Sequence, residues 1–410
     1  MIQLKKFGEV CDFVRGPFGG SLKKSCFVEE GYAVYEQQHA IYDQFSEIRY
    51  FVDEEKFNEM KRFELKTNDL IMSCSGTMGK VAIVPENVKR GIINQALLKL
   101  TPKDFLDVQY LKYWMSSPDF DERIQENTVG AAIKNVASVK VLKQIDVPIP
   151  PIEEQKQIVA ILDKAFAAID QAKGNIEKNI ENAKELFQSK LNDIFSQKGD
   201  GWEEKTLEEI CEKTKNIKWQ DFSSEEFEYV DLSSVSRETL SVTETAKVNK
   251  ENAPSRAKKI ILEGDVIFAT TRPTLKRATI IDEVLSGNLC STGYVVLRPK
   301  ENISSGWIFF YLLTSKFMDR MESLQRGASY PAVSDNDVKG SKLSVPMSKL
   351  EEKKNILIMN NLQESTNFLI DNYVEKLNDL EDLKKSILQK AFAGELTSTG
   401  SVTTQNAVAV

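Results

Sequence analysis

The chain is poor in the residues that most often carry chemistry. Its 410 residues include a single histidine, His39. That nearly removes Ser-His-Asp triads, Cys-His pairs and histidine-ligated metals from consideration. The five cysteines (Cys11, Cys26, Cys74, Cys211 and Cys290) make no CxxC pair and no metal-ligand spacing. An odd, scattered set fits buried thiols in a reducing cytosol rather than a disulfide framework. No apolar run reaches the roughly 18 residues that cross a bilayer. The start, Met1-Ile2-Gln3-Leu4-Lys5-Lys6, lacks the apolar core of a secretory signal. A cytoplasmic protein without a membrane partner is expected. Walker A, GxGxxG, HExxH and GxSxG motifs are missing, as is the kinase set.

What is present is an echo with a period of about half the length. Leu4-Lys5-Lys6-Phe7-Gly8-Glu9-Val10-Cys11 returns as Lys205-Thr206-Leu207-Glu208-Glu209-Ile210-Cys211. Lys66-Thr67-Asn68-Asp69-Leu70-Ile71 returns as Glu263-Gly264-Asp265-Val266-Ile267, and Leu100-Thr101-Pro102-Lys103 as Leu297-Arg298-Pro299-Lys300. Val129-Gly130-Ala131 is matched by Arg326-Gly327-Ala328. Val147-Pro148 then Ile152-Glu153-Glu154-Gln155-Lys156 is matched by Val345-Pro346 then Leu350-Glu351-Glu352-Lys353-Lys354. Solenoid repeats are about 20–50 residues long; a unit of roughly 200 can be a domain by itself. The chain is read as one domain plus one connector, duplicated, binding something itself bipartite.

The expected class is α+β. Domains are expected over 1–150 and 199–348, with connectors over 151–198 and 349–396 and a disordered tail over 397–410. Strand-like runs at Leu70–Ser73, Val81–Val84 and Ala96–Leu100 have second copies at Val266–Ala269, Thr279–Ile281 and Tyr294–Leu297. An aromatic helix follows in each half, Val108 to Trp114 and Trp307 to Leu313. From Ile152 to about Ser196 there is no proline and only Gly174. Ile158, Leu162, Ala165, Ile169, Ala172 and Ile176, then Ile180, Ala183, Phe187, Leu191 and Ile194, step by three and four along one stripe. A helix of this length spans roughly 65 Å. Ile370, Tyr373, Leu377, Leu380, Ile387 and Ala391 mark a second, with Gly394 at its C-cap. The two are expected to pair as an antiparallel coiled coil. Phe166, Leu186, Phe195, Leu369 and Phe392 are left over as a surface for a protein partner.

Net charge is −7, yet each half has a basic middle. Residues 73–103 carry Lys80, Lys89, Arg90, Lys99 and Lys103 against Glu86; residues 269–300 carry Arg272, Lys276, Arg277, Arg298 and Lys300 against Asp282 and Glu283. Local basic faces on an acidic body can still focus a phosphate ligand. The turns Ser73-Cys74-Ser75-Gly76-Thr77-Met78-Gly79-Lys80 and Ala269-Thr270-Thr271-Arg272-Pro273-Thr274-Leu275-Lys276-Arg277 stand in the same place in both halves. Small and hydroxylated residues let backbone N–H groups approach phosphate, and arginine can read guanine through two hydrogen bonds. Ser75, Thr77, Lys80, Arg272, Thr274, Lys276 and Arg277 are therefore candidate DNA contacts. Loops before each connector add Lys134 and Asn135 in one half and Arg326 and Tyr330 in the other. An ordinary strand-connecting turn would explain the glycines alone.

The junction Val147-Pro148-Ile149-Pro150-Pro151-Ile152-Glu153-Glu154-Gln155-Lys156-Gln157-Ile158-Val159, a long helix after it, and the close Leu388-Gln389-Lys390-Ala391-Phe392-Ala393-Gly394-Glu395-Leu396 resemble the specificity subunit of a Type I restriction-modification system. The resemblance covers all but the tail. It implies two target-recognition domains, each reading half of a split double-stranded DNA site, with the helices as a ruler for the unread spacer. It also implies two modification subunits that carry S-adenosylmethionine and methylate adenine, joined by motor-nuclease restriction subunits that use ATP and Mg2+. This chain is then expected to hold no cofactor and no metal and to be non-catalytic. That agrees with the missing glycine-rich cofactor loop and Asn/Asp-Pro-Pro-Tyr/Phe box. One departure is that Met1 lies close to the first domain, so circular closure is expected to rely on the C-terminal helix. Two other readings remain: a helical adaptor without DNA, and a nuclease built on Asp53, Glu64 and Lys66.

Overall fold

The computed structural model describes residues 3–126, 138–221 and 225–397. The chain divides into two units, Met1–Asn175 with Glu375–Val410, and Ile176–Val374.

In the first unit, Cys11–Arg15, Leu97–Pro102, Leu70–Ser73 and Val81–Ile83 form an antiparallel sheet in that order. All four residues of Leu70–Ser73 are buried, because the strand is central and covered on both faces. Its alternate residues serve two cores. Leu70 and Met72 pack with Phe7, Trp114 and Phe120, while Ile71 joins Tyr35 and Ile93. A smaller sheet orders Phe51–Val52, Tyr32–Tyr35 and Gly91–Ile93, the last two parallel. Gln3–Lys6 pairs antiparallel with Asp146–Ile149, Lys5 opposite Val147.

The second unit repeats this plan. Cys211–Glu212, Tyr294–Pro299, Val266–Ala269 and Ala278–Ile280 form the antiparallel sheet. Phe227–Val230 and Leu289–Ser291 are the parallel pair, flanked by Ala246–Val248 and by Ala257–Ile260. Trp202–Thr206 pairs with Lys342–Pro346, Lys205 opposite Leu343.

Two continuous helices, Ile152–Phe195 and Lys349–Phe392, are each 44 residues long. Gln155 is fully buried at the first N-terminus. It accepts a hydrogen bond from the Asp107 N–H and donates to the carbonyls of Phe105 and Pro150. At the second N-terminus the buried Glu352 accepts from the Ser304 N–H at 2.7 Å. The structural counterpart of Gln155 is thus Glu352, one residue off the Glu154/Glu352 echo. Strand pairing likewise matches Ile149 with Val345 rather than Val147 with Val345. Short strings such as Val-Pro and Glu-Glu can slip along a chain; a buried hydrogen bond cannot.

Within the first unit the two helix segments run antiparallel. Lys173 bonds Glu381, Asp170 meets Lys384 at 3.9 Å, and farther out Glu154 accepts a hydrogen bond from Thr397. Ile158, Leu162, Phe166 and Ile169 share a core with Leu388 and Ala391, and Phe392 stands edge-on to Tyr110. Gly394 takes the left-handed φ of +79° that ends the helix. In the second unit Leu191, Ile194 and Phe195 join Trp307 and Met359 in one core.

These contacts correct the expected partner surface. Phe166 packs under Tyr113 and Phe195 under Trp307, both in domain cores, and Phe392 is half-buried. An aromatic off the helical stripe looks surplus until a domain is seen to cover it. Leu186 (64% exposed) and Leu369 (40%) do face solvent, joined by Phe368 (71%). Residues 398–410 of the tail lie outside the described residues.

Candidate nucleic-acid interface

The basic middles are less free than their composition implies. Lys99 is buried, its Nζ bonded to the Glu64 carbonyl, and desolvation lowers its pKa. Arg90 pairs with Glu64 and Lys103 with Asp12. Arg298 pairs with Asp265, and Lys300 bonds the Glu209 carbonyl. These cations are engaged within the domains, Lys99 and Arg298 in the interior and the others at the surface. Exposed cations remain at the turns: Lys80 in the first unit, Arg272 and Lys276 in the second.

Hydrogen bonds set the two turns in register. Ser73 N–H donates to the Lys80 carbonyl, as Ala269 N–H does to Arg277. Cys74 N–H donates to Ala96, as Thr270 N–H does to Gly293. Counting inward, Gly76 corresponds to Arg272 and Gly79 to Lys276, the second turn being one residue longer. All four positions have positive φ: 63°, 50°, 75° and 54° respectively.

In the first turn Ser75 donates its hydroxyl to Gln37 at 3.0 Å, while Thr77 and Lys80 are exposed. Lys134 and Asn135 lie outside the described residues. In the second unit the two sequence-distant candidates meet. Arg272 N–H donates to the Pro331 carbonyl at 2.7 Å, and Thr271 and Arg326 each bridge to Ala332. The Arg272 guanidinium lies 4.9 Å from the Tyr330 ring centroid, a cation–π distance, and donates to the Ser329 carbonyl at 3.4 Å. Thr274 is exposed, and Arg326 lies 3.6 Å from Asp337. Asp337 is held below its ordinary carboxyl pKa, first by the Ser334 hydroxyl and backbone and then by Arg326 and Arg320.

Arg277 departs from this group. Half-buried, it gives Nη1 to the Leu232 carbonyl, and its buried Nε has no partner. Lys80 and Arg277 share a position but not an environment. Sequence reasoning also missed Arg15, whose charge opposes the burial that pushes the Cys74 thiol up to about 11. Lying far from the turn in sequence, Arg15 left no signal there.

Two residues of the nuclease reading have other partners. Asp53 caps the helix Glu54–Glu59 by accepting from Lys56 N–H, and Glu64 is taken by Arg90. Among the described residues no cluster of His, Cys, Asp or Glu could hold a metal. No described helix is long and apolar enough to cross a membrane.

A family model described as the Type I restriction modification DNA specificity domain matches residues 2–182 and 199–379. The chain belongs to this family. It is a non-catalytic Type I specificity subunit with two DNA specificity domains. It is 24% identical over 365 residues to the Type I restriction enzyme MjaVIII specificity subunit of Methanocaldococcus jannaschii, covering 82% of this chain and 81% of that protein. It is 32% identical over 126 residues to the EcoBI specificity subunit of Escherichia coli, 30% of this chain and 25% of that one. Its fold is similar to the crystal structure of the HsdS subunit from Thermoanaerobacter tengcongensis, with TM-score 0.59 and 16% identity over 96% and 97% of the chains. A chain from a study of type I R-M complex assembly and conformational transition gives TM-score 0.75, also at 16% identity, over 96% and 98%.

Proposed function

We propose that this specificity subunit reads a bipartite double-stranded DNA site, one half-site per specificity domain, in the cytoplasm. The observation that carries the reading is the turn repeated in both domains, which presents Ser75, Thr77 and Lys80 in one and Arg272, Thr274 and Lys276 in the other. The exposed Thr77 and Thr274 hydroxyls and the exposed cations on a strand connection match the phosphate and base-edge contacts by which a protein sits on DNA. Arg326 and Tyr330 extend the second surface; Lys134 and Asn135 are assigned to the first by sequence alone.

The subunit works with two modification subunits and, for restriction, motor-nuclease subunits. S-adenosylmethionine, ATP and Mg2+ belong to those partners. Leu186 and Leu369, exposed on the long helices, are assigned to partner contact. The long helices set the length of the unread spacer.

Methylome sequencing of cells carrying this gene with its modification partner, against cells lacking it, tests the reading. A new bipartite methylated motif is expected; an unchanged methylome would overturn it.

A further inference from the structure

Left-handed backbone is open to glycine at no steric cost and is uncommon for other residues. The first specificity domain follows that rule, with Gly76 and Gly79 at its two positive-φ turn positions. Space does not demand glycine at 76, where an added Cβ would meet only Gln37 at 3.6 Å. The second domain keeps the conformation at both corresponding positions and fills them with Arg272 and Lys276. Both residues at left-handed positions of one turn are cations, both are exposed, and neither bonds a carboxylate among the described residues. A strained backbone that carries an exposed side chain points to a use for that side chain.

Arg272 is also held on two further sides. Its N–H donates to the Pro331 carbonyl, and its guanidinium lies on Tyr330 and reaches the Ser329 carbonyl. Of its five donors only one is used, at a long 3.4 Å. A planar fork with its face covered and its edge free suits the O6 and N7 acceptors of guanine in the major groove. Lys276, a flexible point charge, suits a phosphate.

We propose that Arg272 is the guanine-reading residue of the second half-site, that Tyr330 positions it, and that Lys276 contacts the neighbouring phosphate. The first domain presents bare backbone at the matching positions, so the two half-sites are read by different chemistry. This rests on the DNA-reading function above.

The test uses the complex with its modification subunits and the motif its own methylome defines. Arg272→Gly restores the residue the backbone favours, so its melting temperature is expected to match or exceed that of the unmodified chain. Discrimination at one G·C pair of one half-site should fall about 5- to 150-fold in competition binding, with the other half-site unchanged. Tyr330→Ala should weaken discrimination at that same pair, and Tyr330→Phe should restore it. Lys276→Gly should lower the salt slope by about one without changing the preferred sequence. A folded Arg272→Gly complex that keeps the full motif, or that loses affinity equally for every sequence, overturns the proposal. Absence of any bipartite motif with the unmodified chain would instead overturn the DNA-reading function itself.

Discussion

Arg298 meets the fully buried Asp265 through two hydrogen bonds, Nε and Nη2 each 2.8 Å from a carboxylate oxygen. In the first domain Asp69 occupies the same place and takes the Thr101 hydroxyl at 2.5 Å. One echoed aspartate is thus bound by a bidentate arginine in one half, and in the other by a threonine hydroxyl with the Lys99 ammonium 3.9 Å away. Arg298→Ala strands a buried charge and should cost about 3–5 kcal/mol. Thr101→Val removes a hydrogen bond to a charged group and should cost about 1.5–3 kcal/mol. Chemical denaturation of each variant checks both; equal losses would show that the two carboxylates are held alike.

The large apolar residues of the helices divide by burial. Phe195→Ala should destabilise by about 3–5 kcal/mol, because the ring sits in the second core against Trp307. Leu186→Ser and Phe368→Ser, on exposed positions, should stay within about 0.5 kcal/mol. Thermal unfolding separates the two groups, and a large loss from Phe368→Ser would place that ring in a packed interface.

The thiols should report folding and alkaline stability together. Burial raises Cys74 to about 11 and Cys211 and Cys290 to about 12, and it raises the Tyr35 phenol to about 12. Their folded values lie above the unfolded ones, about 8.5 for thiol and 10 for phenol. The stabilisation is therefore fully present below those unfolded values and is lost as pH rises from about 8.5 towards 12. The denaturation midpoint should fall across that window. At pH 8 a thiol reagent should react quickly at the half-buried Cys26, with the four buried cysteines reacting only after unfolding. Rapid reaction of all five would contradict this packing.

In the first half-site, Lys80→Ala should weaken binding by a similar factor for every sequence and reduce the salt slope by about one. Titration at several salt concentrations reads this directly. A change of preferred bases would make Lys80 a reader rather than a phosphate contact.

Insertion of whole helical turns after Gly174, matched in 370–390, should lengthen the unread spacer while both half-sites persist. Methylome sequencing of the insertion variant gives the answer. Altered half-sites would remove the spacer role from the helices.

Much of this protein is written locally in its chain. The strand Val266–Ala269 and the long helix from Ile152 follow from apolar runs, heptad-like steps and the lack of proline, because these depend on neighbours a few residues apart. The duplication is legible too, since each copy must satisfy the same fold. Tertiary structure decided the rest. It turned Arg277 inward to Leu232, spent Lys99 and Arg298 on the interior, and hid Phe166 and Phe195 beneath the domains. It made Glu352 the counterpart of Gln155 in the repeat, and it brought Arg272 onto Tyr330. A side chain's exposure and partners depend on segments that meet only when the chain closes on itself, and no short window of sequence contains them.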